Sequence, residues 1–135
     1  MKGRARLAAA LLAAATSLPA LAAPDAAAQR EIDHLLAYVA SSGCRFVRGG
    51  VEHDAREARD HLALKLDVAR PLLGSADAFV ERVASASSLT GEPYRVRCDG
   101  RETAAKAWLA DELARYRRAG GARAQSRPPA CCQRH

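Results

Sequence analysis

Five residues of types that bind anions or move protons lie where one small fold could gather them: Arg48, His61, Lys65, Ser87 and Tyr94. Arg48 is followed by Gly49 and Gly50, and glycines let backbone N–H groups turn toward an anion. His61 and Lys65 are four residues apart, so a helix projects them from one side. Ser87 sits in a hydroxyl-rich run with Ser85 and Ser88 that leads through Thr90, Gly91 and Pro93 into Tyr94. Gathered together, the five would line a pocket for a carboxylate or phosphate, converging within roughly 10 Å and with no Asp or Glu among them, since such a residue would make a ligand's charge redundant. A different chemistry is hydrolysis by a serine with His61 or Lys65 as its base, which requires hydrogen-bond reach and an oxyanion site.

Each feature also has a purely structural counterpart. Glu57, His61 and Lys65 could form an intrahelical ion-pair row, and serines at a helix end usually satisfy loose backbone groups. Arg48 could be held by a protein carboxylate, because an unpaired buried charge costs several kcal/mol. Other chemistries are excluded by motif: the chain contains no nucleotide-binding glycine loop, no His-Glu-x-x-His and no Gly-x-Ser-x-Gly. Cys131, Cys132 and His135 make a poor metal set, since adjacent cysteines rarely share one zinc and three ligands leave the site open. No metal and no cofactor are expected.

Four helices are needed to position these residues. Ile32, Leu35, Leu36 and Val39 mark the first, with Asp25 as its cap. Ala55, Ala58, Leu62, Leu66 and Ala69 mark the second, which starts near Asp54 and closes at Pro71. Relative to that stripe His61 and Lys65 stand roughly 60 to 100 degrees round, on the shoulder of the helix. Ser75 caps a third helix with Phe79, Val80 and Val83 inward, and Thr103 caps a fourth carrying Ala105, Trp108, Leu109, Leu113 and Tyr116. Residues 44–47 and 94–98 read as strands, bounded by Gly49-Gly50 and Asp99-Gly100. The expected fold is mainly α with a small β element, an α+β domain of about four helices packed on a two-stranded antiparallel sheet, about 44–48 with 94–98.

Cysteines set the register of that sheet. The four cysteines allow three pairings, and Cys44 with Cys98 is the natural couple because Cys131 and Cys132 lie in a Gly-, Arg- and Pro-rich tail. An antiparallel pair that brings Cys44 to Cys98 also sets Phe46 against Val96 and Arg48 against Tyr94, and turns Arg45, Val47, Arg95 and Arg97 to the other face. Closing a loop of about 55 residues stabilises by roughly 4 kcal/mol on a chain-entropy model.

The chain begins with a basic stretch holding Lys2, Arg4 and Arg6, then an apolar run over residues 7–15, then Thr16, Pro19 and the small residues Ala20 and Ala22. This is the pattern of a cleaved secretory signal, and the run is about half of what a membrane span needs. The expected organisation is a signal peptide at 1–22, a mobile lead-in at 23–28, one compact domain at 29–118 and a disordered tail at 119–135. From Arg30 to Arg118 there are 15 Lys or Arg against 14 Asp or Glu, so all but one unit of the net charge of +6 resides in the two ends. A nucleic-acid-binding domain concentrates positive charge on its folded part, and none is expected as a partner. Of the 135 residues 32 are alanine, which leaves enough bulky side chains for one small core only.

Three blocks then resemble a known family. Phe46-Val47-Arg48-Gly49-Gly50, His61-Leu62-Ala63-Leu64-Lys65-Leu66, and the run from Val83-Ala84-Ser85 through Gly91-Glu92-Pro93-Tyr94 are similar in order and spacing to the exported bacterial proteins called domain of unknown function 5329, or YfeK-like. The last block is the most specific. The family usually has Arg-Asn-Gly where this chain has Arg48-Gly49-Gly50. The resemblance implies a periplasmic location and a single compact domain, and implies no reaction. Residues and resemblance together point to a small non-catalytic periplasmic module, its partner an anionic small molecule or an envelope protein, with a small Ser-based hydrolase and a structural envelope accessory protein as the alternatives.

Overall fold

The computed structural model describes residues 23–125; the expected signal at 1–22, together with Cys131, Cys132 and His135, lies outside the described residues. The chain order is α1 (Ala26–Ser41), β1 (Arg45–Arg48), β2 (Val51–His53), α2 (Ala55–Ala69), a 3-10 turn (Arg70–Leu72), α3 (Ala76–Arg82), β3 (Arg95–Cys98), β4 (Arg101–Ala104) and α4 (Ala105–Gln125). α4 thus runs past the expected domain limit at Arg118, and α1 starts inside the expected lead-in.

Helix starts follow local capping chemistry. The side chain of Asp25 accepts the Ala28 N–H, and that of Ser75 accepts the Ala78 N–H. At Asp54 the cap is reciprocal, with Asp54 accepting the Glu57 N–H and Glu57 accepting the Asp54 N–H, so two unpaired backbone donors are satisfied at once. α2 stops before Pro71, which lies within the 3-10 turn, because its ring cannot continue a helix.

The sheet has four antiparallel strands in the order β2-β1-β3-β4, which corrects the expected two. The central pairing has the expected register: Arg45 opposite Arg97, Phe46 opposite Val96 and Val47 opposite Arg95. Cys44 and Cys98 are joined by a disulfide, their Cα atoms 4.8 Å apart. β2 and β4 were missed because Gly49-Gly50 and Asp99-Gly100 act as hairpin turns and not as strand ends. Gly49 and Gly50 have φ of 56° and 75°, Asp99 and Gly100 have 49° and 76°, and the pairs Arg48 with Val51 and Cys98 with Arg101 close over them. Two successive left-handed residues make a type I′ turn, whose twist suits a tight hairpin. Asparagine tolerates that conformation too, so Asn-Gly and Gly-Gly are equivalent here. Thr103 is consequently an exposed residue of β4 and caps nothing; the Ala105 N–H at the start of α4 instead donates to the Tyr94 carbonyl at 2.9 Å.

One face of the sheet is charged and the other is core. On the outer face Arg45, Arg95 and Arg97 interleave with Glu52 and Glu102, with the Arg97–Glu102 pair at 2.6 Å. On the inner face Phe46 and Val96 join Ile32, Leu35 and Val39 of α1, Leu62 and Leu66 of α2, Phe79 and Val80 of α3, and Leu109 and Leu113 of α4 in one buried cluster. A strand alternates its side chains across the sheet, so the three outward arginines follow from burying Phe46 and Val96.

Candidate functional site

Tyr94 is held from both sides. Its N–H donates to the Ser85 carbonyl at 2.9 Å and its carbonyl accepts from Ala105, while Ala86 and Pro93 form a β-bridge. The loop between is closed by its own residues: the Ser87 N–H donates to the Glu92 carbonyl, the Gly91 N–H donates to the Ser87 carbonyl, and the Ser87 hydroxyl accepts the Leu89 and Thr90 N–H groups at 3.3 Å each. Gly91, at φ 74°, takes the left-handed conformation that glycine adopts without strain. The hydroxyl-rich block is therefore a device that presents Tyr94, and the structure does not bring Ser87 into the site.

Around the Tyr94 hydroxyl the side chains of α2 converge. Lys65 Nζ donates to it at 3.2 Å, and also to the Val83 carbonyl at 2.6 Å and the Ala86 carbonyl at 2.7 Å. An ammonium has three donors, and all three are occupied. His61 Nε2 lies 3.2 Å from the same hydroxyl. With Lys65 donating to the Tyr94 oxygen, the hydroxyl hydrogen is free to go to Nε2, and in that tautomer a neutral His61 carries its proton on Nδ1. The expected ion-pair row along α2 does not form: Glu57 is occupied by the cap and by His53 Nδ1 at 3.7 Å.

Electrostatics agree with this neutral arrangement. Burial, then the charges of Arg48, Lys65 and His53, hold His61 below its ordinary pKa of 6.5. Burial, then Arg48, lowers Lys65, although its three acceptors favour the ammonium. Burial raises Tyr94 while Arg48 opposes the rise. The recurring influence is Arg48, and no carboxylate among the described residues lies within ion-pair distance of it. Other arginines without an ion pair among the described residues, such as Arg56 and Arg101, are exposed. Arg97 pairs with Glu52 and Glu102, Arg115 with Glu112, and Arg117 with both Glu31 and Asp77. Arg48 is half-buried, not exposed.

Arg48, His61 and Tyr94 line a cleft of about 40 Å³ whose floor is Phe46, Leu62 and Leu109. Lys65 stands behind Tyr94 outside that lining. His53, not singled out in the sequence, and Glu57, read there only as a member of an ion-pair row, complete the rim. The presence of Glu57 corrects the expectation of a rim without carboxylates; its Asp-x-x-Glu capping signature with Asp54 was the available signal. The serine chemistry lacks its geometry: the Ser85 hydroxyl donates to the Glu81 carbonyl, the Ser87 hydroxyl serves its own loop, and no serine among the described residues is hydrogen-bonded to His61 or Lys65. Among the described residues no group of three metal-ligating side chains occurs.

Comparison with known proteins places the chain among relatives of the same description. The model of a family of unknown function, DUF5329, matches residues 26–117. A Salmonella typhimurium protein named "uncharacterized protein YfeK" is 40% identical over 86 residues, covering 63% of this chain and 72% of its own. No solved structure matches.

Proposed function

The chain belongs to the family of unknown function DUF5329, and we propose that it is a small, non-catalytic binding module whose cleft accepts the negatively charged head of a ligand at Arg48, beside His61 and Tyr94. The observation that carries this reading is the half-buried Arg48, which has no carboxylate partner among the described residues and borders an apolar cleft. A guanidinium presents a planar fork matched to a carboxylate or phosphate, and in a half-buried position its charge is screened less than at the open surface. Thermal unfolding of the protein in a panel of small anions tests this, with Arg48→Gln as the control. A midpoint that rises with at least one anion and stops rising in the variant supports the reading; an unresponsive wild-type protein sinks it.

The module is read as exported to the periplasm. Supporting this are the basic-then-apolar start with Ala20 and Ala22 at its end and the Cys44–Cys98 disulfide, a bond that persists in oxidising compartments. No helix among the described residues is long and apolar enough to cross a membrane. Mass spectrometry of the periplasmic fraction is expected to find a chain beginning at Ala23; an intact chain retaining residues 1–22 would contradict export with cleavage.

A further inference from the structure

We propose that the ligand of the cleft is a short aliphatic carboxylate, either a free acid or the end of a peptide whose last residue carries a small apolar side chain. The carboxylate sits on Arg48 and the apolar group lies against Phe46, Leu62 and Leu109. This inference rests on the anion-accepting reading above and adds the chemical class of the ligand.

The walls select against other anions. Below the rim the cleft is bounded by Phe46, Ala58, Leu62, Ala84, Ala105 and Leu109, which offer no hydrogen bond from their side chains. A phosphate pushed into it would desolvate several oxygens with donors on one side only, and buried polar groups without partners are costly. A sugar would leave its hydroxyls unpaired for the same reason. A carboxylate concentrates its charge on two oxygens at one end, so Arg48 can meet both while the rest of the molecule remains apolar.

Size narrows the class further. At roughly 10–15 Å³ of probe space per water-sized group, a cleft of about 40 Å³ takes about three heavy atoms beyond the rim. That is a propyl or isopropyl group, the size of a valine side chain. Lys65 does not compete for the carboxylate, since its three donors are taken by Val83, Ala86 and Tyr94. His61 retains one ring nitrogen beyond its contact with Tyr94 and supplies a second donor at the rim.

Calorimetric titration of the whole protein tests the proposal with acetate, 2-methylpropanoate, 2-methylpropanamide, N-acetyl-glycyl-valine and inorganic phosphate as probes. Each methylene removed from water tightens binding about four-fold, so 2-methylpropanoate, with two more carbons, is expected to bind roughly fifteen-fold tighter than acetate, the amide not at all, and Arg48→Gln to abolish the difference. The free acid or the dipeptide binding the more tightly identifies the source of the carboxylate. Ala58→Leu, which narrows the cleft without touching Arg48, is expected to remove the advantage of 2-methylpropanoate over acetate. Equal affinity for those two acids, or a preference for phosphate, overturns the aliphatic class while leaving an anion site at Arg48. Binding of none of the anions overturns the anion-accepting reading itself.

Discussion

Replacing Lys65 by methionine is expected to destabilise the fold by about 2–3 kcal/mol, although the residue is partly open to solvent and its aliphatic stem is retained. Its ammonium ties α2 to the Val83 carbonyl at 2.6 Å and the Ala86 carbonyl at 2.7 Å, where α3 ends and the segment leading to Tyr94 begins. A hydrogen bond to a charged donor contributes roughly 1.5–3 kcal/mol, so the two carbonyls account for about 3–6 kcal/mol before costs. The cost of desolvating the ammonium, which lowers its pKa, and the access of water to the freed carbonyls reduce that sum by about half. In a domain near 100 residues this shifts the unfolding midpoint by about 10–20 °C, measurable by circular dichroism. A second readout separates the clamp from a general packing loss. Lys65 is one of the charges that hold His61 below 6.5, so the His61 ring should titrate nearer its ordinary value in Lys65→Met by proton NMR. A variant within about 0.5 kcal/mol of wild type, with His61 titrating as before, would refute the account of Lys65 as a three-donor clamp.

Other consequences are equally open to measurement. Cys44→Ala and Cys98→Ala should each cost about 2–4 kcal/mol in denaturant unfolding, the effect of opening a loop with sequence separation 54. In the first hairpin Gly50→Val should cost about 1–2 kcal/mol by forcing a branched residue to positive φ, whereas Gly49→Asn should be neutral or slightly stabilising because a type I′ turn accepts it. Glu112 is buried and accepts from His34 at 2.7 Å and from Arg115 at 2.6 Å. Burial raises its pKa, but these partners together bring it below 4.5. Its stabilisation is therefore full above pH 4.5 and lost as pH falls through the lowered value, and Glu112→Gln should flatten the acid limb of a stability–pH curve. His61 follows the same sign in a higher pH window. A histidine lowered from 6.5 binds fewer protons folded than unfolded, so its contribution falls as pH drops below 6.5. It faces Arg48 from β1, His53 from β2, Glu57 and Lys65 on its own helix, and Tyr94 ahead of β3. An anion on Arg48 should reverse the balance and draw a proton onto His61, so anion-induced stabilisation should grow as pH falls from 7 to 5, and this growth should vanish in His61→Gln.

How much of this was legible in the sequence divides along the range of the interactions involved. Caps such as Asp25 and Ser75, the apolar stripes of the helices, and the disulfide register that sets Phe46 against Val96 are written in residue type and spacing, because each is decided within a turn of helix or by strand alternation. β2 and β4 were illegible for a specific reason: Val51–His53 and Arg101–Ala104 are short and largely exposed, so they carry no apolar alternation, and only the Gly-Gly and Asp-Gly turns announce them. The same distinction governs the site. Arg48 and Tyr94 could be brought together from the register alone, and His61 and Lys65 could be placed on a helix shoulder, but which of them remains free depends on long-range partners. Lys65 is consumed by carbonyls 18 and 21 residues away, and Ser87 by amides two and three residues away. Arg48 is left without an ion pair because the carboxylates that follow it in sequence are engaged, Glu52 on the outer face of the sheet and Asp54 and Glu57 with each other at the cap of α2, although Glu57 shares the rim of the cleft. Alternation sends Glu52 outward because Phe46 and Val96 must point inward, and helix capping takes Glu57 because α2 must begin directly after β2. An Arg48 on the cleft lining without an ion pair is thus a consequence of the fold's own requirements, and follows from what each neighbouring carboxylate is already obliged to do.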